Sequence, residues 1–177
     1  MKPIGIGVIG TGFMGKAHSI AYSASASVFG IGLRPNLEIV CDLSPERANQ
    51  RATDLGFSRH TDKWQDVVND PRVDLISVCT PNNTHSEISI AALEKGKHVW
   101  CEKPMSSSLE DSQIMAEVAE KSNSKNLQSK HQTMFKRSNG SLSKVKHREK
   151  IFNDFKREKL LELEYQAIQF FMVYYSY

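Results

Sequence analysis

The chain has 177 residues, 40% hydrophobic and 24% charged, with 23 Lys+Arg against 20 Asp+Glu and a formal charge of +3. That is an ordinary globular composition, large enough for one domain with a core or one domain plus an appendage. No apolar run reaches the roughly 18 residues a membrane helix needs, and Met1-Lys2-Pro3 runs straight into an apolar segment with no leader-like region before a cleavage site, so a cytoplasmic protein is expected.

The first element is Gly5 to Ile9, β-branched and apolar, which reads as a strand. It feeds Gly10-Thr11-Gly12-Phe13-Met14-Gly15, glycines at the G-x-G-x-x-G spacing. With a dinucleotide bound, each glycine has its own role, Gly10 allowing the tight turn, Gly12 close approach of the backbone to a pyrophosphate, and Gly15 close packing of the next helix. That helix begins near Phe13 and continues through the small-residue stretch Lys16 to Ala26, its first free N–H groups facing the phosphates. A glycine-rich turn after a strand is common without a ligand; the strand before and the helix after are the context that favours the nucleotide.

Ser23 to Asn36, rich in Ser, Ala and Gly and ending in Arg34-Pro35-Asn36, is expected to loop. Leu37 to Cys41 reads as the second strand, ending on Asp42, whose carboxylate is placed to accept from a ribose hydroxyl pair and to repel a 2′-phosphate, favouring NAD over NADP. Asp42 could instead cap the next helix, but Ser44 before Pro45 fills that role and leaves Asp42 free. Glu46 to Leu55 is helical and stops at Gly56; Arg47, one turn in, lies over an adenine face or is solvated. A short strand at Phe57 to His60 and a short helix at Lys63 to Val68 come next. Val73 to Thr80 is nearly continuous in apolar residues, as a parallel strand covered on both faces reads.

That strand delivers Pro81-Asn82-Asn83-Thr84-His85. A helix from Ser86 to Lys95 and a buried strand from Lys97 to Cys101 then deliver Glu102-Lys103-Pro104. Ligands of open parallel sheets bind at the carboxyl ends of strands, so both polar clusters should open onto one crevice, with His85 and Lys103 its candidates for proton chemistry. A capping or solvated histidine and a solvated lysine are the plainer alternatives. Leu109 to Lys121 closes the pattern as a helix. The expected fold is α/β, a doubly wound parallel sheet over residues 1–121. Cys41, Cys79 and Cys101 are far apart without a metal-ligand spacing and read as buried thiols, so no metal site is expected.

The glycine loop, the CTPNNTH stretch at Cys79 to His85 and especially GKHVWCEKP at Gly96 to Pro104 together resemble the glucose-fructose oxidoreductase / inositol dehydrogenase / MocA family. The resemblance covers residues 3 to about 121 and implies a Rossmann domain for NAD(P) that works with a second, α+β domain on a sugar, inositol or related polyol. It implies that Gly10 to Gly15 hold the pyrophosphate and Asp42 the ribose, and that Thr80, Pro81, Asn82, Asn83 and His85 line the cleft. By the same resemblance Lys103 faces the substrate, where an ammonium stabilises a developing alkoxide. Glu102 positions it, and Lys103-Pro104 is a candidate cis peptide.

From Ser122 the chain departs from the family pattern. Residues 122–150 are polar and basic, without strand alternation, and read as a loop or a disordered segment; residues 151–174 can be written as an amphipathic helix. The charge changes sign with them, 12 Lys+Arg against 15 Asp+Glu in residues 1–121 and 11 against 5 thereafter. Two functions compete. One is an NAD(H)-binding half of a dehydrogenase that lacks its substrate domain; the other is an interaction module with a basic tail, for which a solvated charge run is favoured over nucleic-acid binding.

Overall fold

The computed structural model describes residues 2–29, 33–122 and 126–128. They form a six-stranded sheet in the order β3-β2-β1-β4-β5-β6 with every described pairing parallel. The strands are β1 (Lys2–Ile9), β2 (Leu33–Cys41), β3 (Arg59–Thr61), β4 (Leu75–Val78), β5 (His98–Cys101) and β6 (Asn126–Gln128). The helices are α1 (Phe13–Phe29), α2 (Pro45–Leu55), α3 (Trp64–Asn69), α4 (His85–Glu94) and α5 (Leu109–Lys121).

Alternation along the strands, shifted once by the irregular β1–β2 register at Ile6/Gly7, divides the apolar residues between two faces. Ile6, Val8, Leu37, Val40 and Leu75 pack with Tyr22 of α1 and Ala52 of α2. On the other face Ile39, Ile76, Val78, Val99 and Cys101 pack with Val67 and Val68 of α3, Ile88, Ala92 and Leu93 of α4 and Met115 of α5. A sheet covered on both faces is the doubly wound arrangement, and it explains why all of β4 is buried. The helix ends obey local chemistry: the Ser44 hydroxyl accepts from Arg47 N at the start of α2, and Gly56, at φ 80°, closes it.

Three expectations need correction. First, Ser23 to Asn36 does not loop throughout: α1 runs to Phe29. Second, β2, expected from Leu37, already begins at Leu33. The helix accommodates its serines because Ser23 and Ser25 turn their hydroxyls onto the carbonyls of Ser19 and Tyr22. Pro35 pairs with Ile4 of β1, while β3 reaches only Ile39 to Cys41, so the missing N–H of Pro35 has no described strand across from it. The third correction lies in residues 122–150, where Asn126–Gln128 forms a strand beside β5. The start of β1 moves by three residues, from Gly5 to Lys2, and other boundaries by one or two, with β3 at Arg59–Thr61 and α4 starting on His85 itself. The helix expected at 151–174 lies outside the described residues.

Candidate cofactor site

The chain passes from β3 on one side of β1 to β4 on the other, so the order reverses between β1 and β4 and a crevice opens at their carboxyl ends. The glycine loop lies on its lip. Gly10 takes φ +90°, and a Cβ there would stand 2.7 Å from the carbonyl oxygen of Cys79, just beyond β4. At Gly15 a Cβ would collide with the Gly10 carbonyl oxygen, so α1 sits against the loop at a distance only glycine permits. Gly12 differs from both: a Cβ there meets no atom within 4 Å. The fold makes no use of that glycine, whereas a pyrophosphate lying over the loop at the start of α1 does, so the cradle fits the group. Of the intervening residues Thr11 is buried, Met14 half-buried and Phe13 exposed.

Asp42 is at the tip of β2 but is not free. Its carboxylate accepts from Thr11 N at 3.2 Å, from the Thr11 hydroxyl, and from Leu43 N at 2.7 Å, with Arg47 Nη1 at 3.4 Å. Burial alone would raise its pKa; the bonds from Thr11 and Leu43 and the Arg47 charge outweigh burial and hold it below the usual Asp range. Asp42 therefore ties the second strand to the glycine loop as an anion, and a ribose would share it with Thr11.

Thr80 is half-buried and Pro81, Asn82 and Asn83 are exposed, Asn82–Thr84 forming one 3₁₀ turn closed by Thr84 Oγ1 on Thr80 Oγ1 and on the Pro81 carbonyl. His85 does not face the crevice. It is 1% exposed, with Nδ1 2.9 Å from the Pro104 carbonyl and Nε2 2.8 Å from the Thr80 carbonyl, so it ties the turn after β4 to the turn after β5. In that second turn Glu102 is buried, Lys103 is exposed, and Lys103-Pro104 is cis as expected.

Beneath these turns is a group that sequence reading missed. His18 of α1 places Nε2 2.9 Å from Glu102 Oε1 and Nδ1 3.1 Å from Ser77 Oγ of β4, and Tyr22 OH lies 2.6 Å from the same Ser77 oxygen. The only local signal was a histidine four residues before a tyrosine on a helix face that turns inward. Burial pushes the Glu102 carboxyl up, but the His18 hydrogen bond and charge, then the Lys103 N–H and charge, outweigh it and hold the group below the usual Glu range. A lowered folded pKa means stabilisation that is complete above the unfolded value, about 4.3, and lost as pH falls through the folded one. Glu102→Gln is accordingly expected to cost about 2 kcal/mol at pH 7 and progressively less below about pH 4, read from urea midpoints. A cost independent of pH would show that the charge contributes nothing.

Among the described residues no three His, Cys, Asp or Glu side chains group as a metal site, and no helix is long and apolar enough to cross a membrane. Comparison with known proteins agrees with the geometry. The chain is 39% identical to levoglucosan dehydrogenase of Pseudarthrobacter phenanthrenivorans over 124 residues, 70% of this chain and 32% of that one. It is 34% identical to myo-inositol 2-dehydrogenase of Thermotoga maritima over 116 residues, 66% of this chain and 33% of that one. Among solved structures, levoglucosan dehydrogenase in complex with NADH and levoglucosan superposes with a TM-score of 0.68 at 36% identity, covering 71% of this chain and 35% of that one. The chain thus spans about a third of the length of these curated relatives. The family model described as an oxidoreductase family with an NAD-binding Rossmann fold matches residues 4–131, and with this loop, crevice and strand order behind it the chain belongs to that family, the glucose-fructose oxidoreductase / inositol dehydrogenase / MocA group, as its NAD-binding domain.

Proposed function

We propose that this chain is the cofactor half of a dehydrogenase that moves a hydride between nicotinamide and a carbon of a sugar, inositol or related polyol. One observation carries the reading: the glycine loop, the Thr80 turn and the Lys103 turn leave three adjacent parallel strands at the same end, around the point where strand order reverses. The nicotinamide, when bound, supplies the hydride acceptor. The residues of this chain then divide the remaining work. Gly12 and the first N–H groups of α1 receive the pyrophosphate, Asp42 with Thr11 orients the ribose, and Arg47 lies beside the adenosine. Thr80, Pro81, Asn82 and Asn83 form the wall opposite the loop, and Glu102 and His85 hold the turns from below. Lys103, exposed at the rim, presents an ammonium where an alcohol oxygen gathers negative charge as it loses its proton.

The substrate class is that of the relatives, which act on levoglucosan and inositols. The two thirds of those proteins that this match leaves uncovered would supply the substrate's remaining contacts, so the chain alone is expected to bind nucleotide and to turn over slowly or not at all. Cys41 and Cys101, buried thiols with pKa values pushed by burial to about 12, suit the reducing cytoplasm in which we place it.

The test is a titration of the purified chain with NADH and NADPH, monitored by nicotinamide fluorescence. NADH is expected to saturate and to bind more tightly than NADPH. Asp42→Ala should weaken NADH about tenfold or more and narrow the gap, since it removes both the ribose acceptor and the charge that opposes a 2′-phosphate. A chain that is folded by circular dichroism but binds neither nucleotide would sink the reading.

A further inference from the structure

Cofactor binding by itself does not require a histidine to be buried in α1, whose inner face otherwise carries Ala21, Tyr22 and the small serines Ser19 and Ser25. His18 is 1% exposed and stands within hydrogen-bonding distance of Ser77 on β4 and of Glu102 just beyond β5. Its ring also meets Trp100 of β5 edge-on, centroids 5.4 Å apart at 88°, and Tyr22 at 6.4 Å. Burying this many polar groups costs stability unless each is paired in a consistent direction. Here the pairing closes on both sides of the ring: Nε2–H donates to the Glu102 carboxylate, and Nδ1 pairs with the Ser77 hydroxyl. The second oxygen of that carboxylate, Oε2, lies 3.4 Å from the main-chain N–H of Lys103.

The group sits close to the phosphate cradle because His18 is on α1 one turn past Gly15, beside Ser19, whose hydroxyl donates to the Gly15 carbonyl at 2.7 Å. Its contacts end on the main chain of the lysine at the rim. A hydrophobic residue at position 18 would fill the same space, but it would leave Glu102 buried without its partner and the Lys103 turn without its anchor.

We propose that His18 is a positioning residue: by holding Glu102 it fixes the Lys103 turn against α1, so that the ammonium and the phosphate cradle are set by one rigid group. This rests on the placement of Lys103 at the reacting alcohol under the proposed function. One fact makes the role directional: Glu102 uses one oxygen for His18 and the other for Lys103, so the two contacts share a single carboxylate. Removing either His18 or Glu102 should then release Lys103 in the same way, and removing both should do no more.

The experiment is acylation of the intact chain with an amine-selective reagent, scored by mass spectrometry as the rate at Lys103 relative to exposed Lys95. His18→Phe and Glu102→Gln are each expected to raise the ratio about fivefold, and the double variant to match either single one, because both act through one carboxylate. His18→Gln, whose side-chain amide keeps an N–H donor, should return the ratio to within about twofold of the unmodified chain, which a mere loss of packing would not allow. A His18→Phe ratio equal to that of the unmodified chain, or single effects that multiply in the double variant, would overturn the proposal. Should His18→Phe lose its fold by circular dichroism, Ser77→Ala decides, since it keeps the ring but removes the bond that orients it: a raised ratio supports the proposal and an unchanged one overturns it. Acylation needs no nucleotide, so an NADH titration of the same preparations judges the cofactor reading separately.

Discussion

Gly12→Val is expected to weaken NADH binding about 100-fold or more while moving the thermal midpoint by no more than about 2 °C. The two halves of that result come from one observation. A Cβ at Gly12 meets nothing within 4 Å, so the protein itself has room for the larger side chain. The space it would enter is the one over the loop where the first N–H groups of α1 point, and a pyrophosphate there needs the backbone bare. Valine would hold the phosphates off by the width of its methyl groups, and donors that act at hydrogen-bonding distance lose most of their effect when moved away. Fluorescence titration and a thermal melt on the same sample read both halves. Undiminished affinity would place the phosphates elsewhere.

Gly15→Val should give the opposite pattern, a loss of stability of about 3 kcal/mol or more, or roughly 6 to 12 °C for a chain of this size. The added Cβ would run into the carbonyl oxygen of Gly10, a backbone atom that cannot rotate aside, and would lie 3.6 Å from the Cβ of Cys79. Relief requires α1 to lift from the loop. That lift would also drag His18 from Glu102 and Ser77, so the cost is not confined to one contact. A melt and a urea titration measure it. A variant as stable as the parent would mean that the helix does not pack on the loop as closely as described.

The motif already gives Gly12 to a ligand and Gly15 to helix packing, and the space around each glycine agrees with that division. The strand, loop and helix around them are legible because each is local: β-branched residues, then glycines, then small residues. The Glu102-Lys103-Pro104 turn is legible through resemblance and through its place after an apolar run. Ser23 to Asn36 misleads because serine, glycine and proline favour turns on average, whereas here serine side chains bond back to their own helix and Pro35 sits beyond the reach of β3. The position of Asp42 at a strand tip is readable, but its bonds to Thr11 span 31 residues and cannot be inferred from spacing. His18 is invisible for the same reason, its partners lying 59 and 84 positions away. His85 stands out for its chemistry and proves to be a tie between two carbonyls, which only the neighbouring turn could reveal.

β6 is three residues long and runs parallel to β5, so the chain leaves it at the same end of the sheet as the glycine loop and the Lys103 turn. An antiparallel strand in that place would have carried the continuation to the far side of the molecule. With the parallel one, Gln128 stands at the carboxyl end of the sheet, the end at which the nucleotide crevice opens, two strands beyond β4. The last described strand and the first thus deliver their carboxyl ends to one rim of the sheet, although they lie at opposite ends of the described sequence.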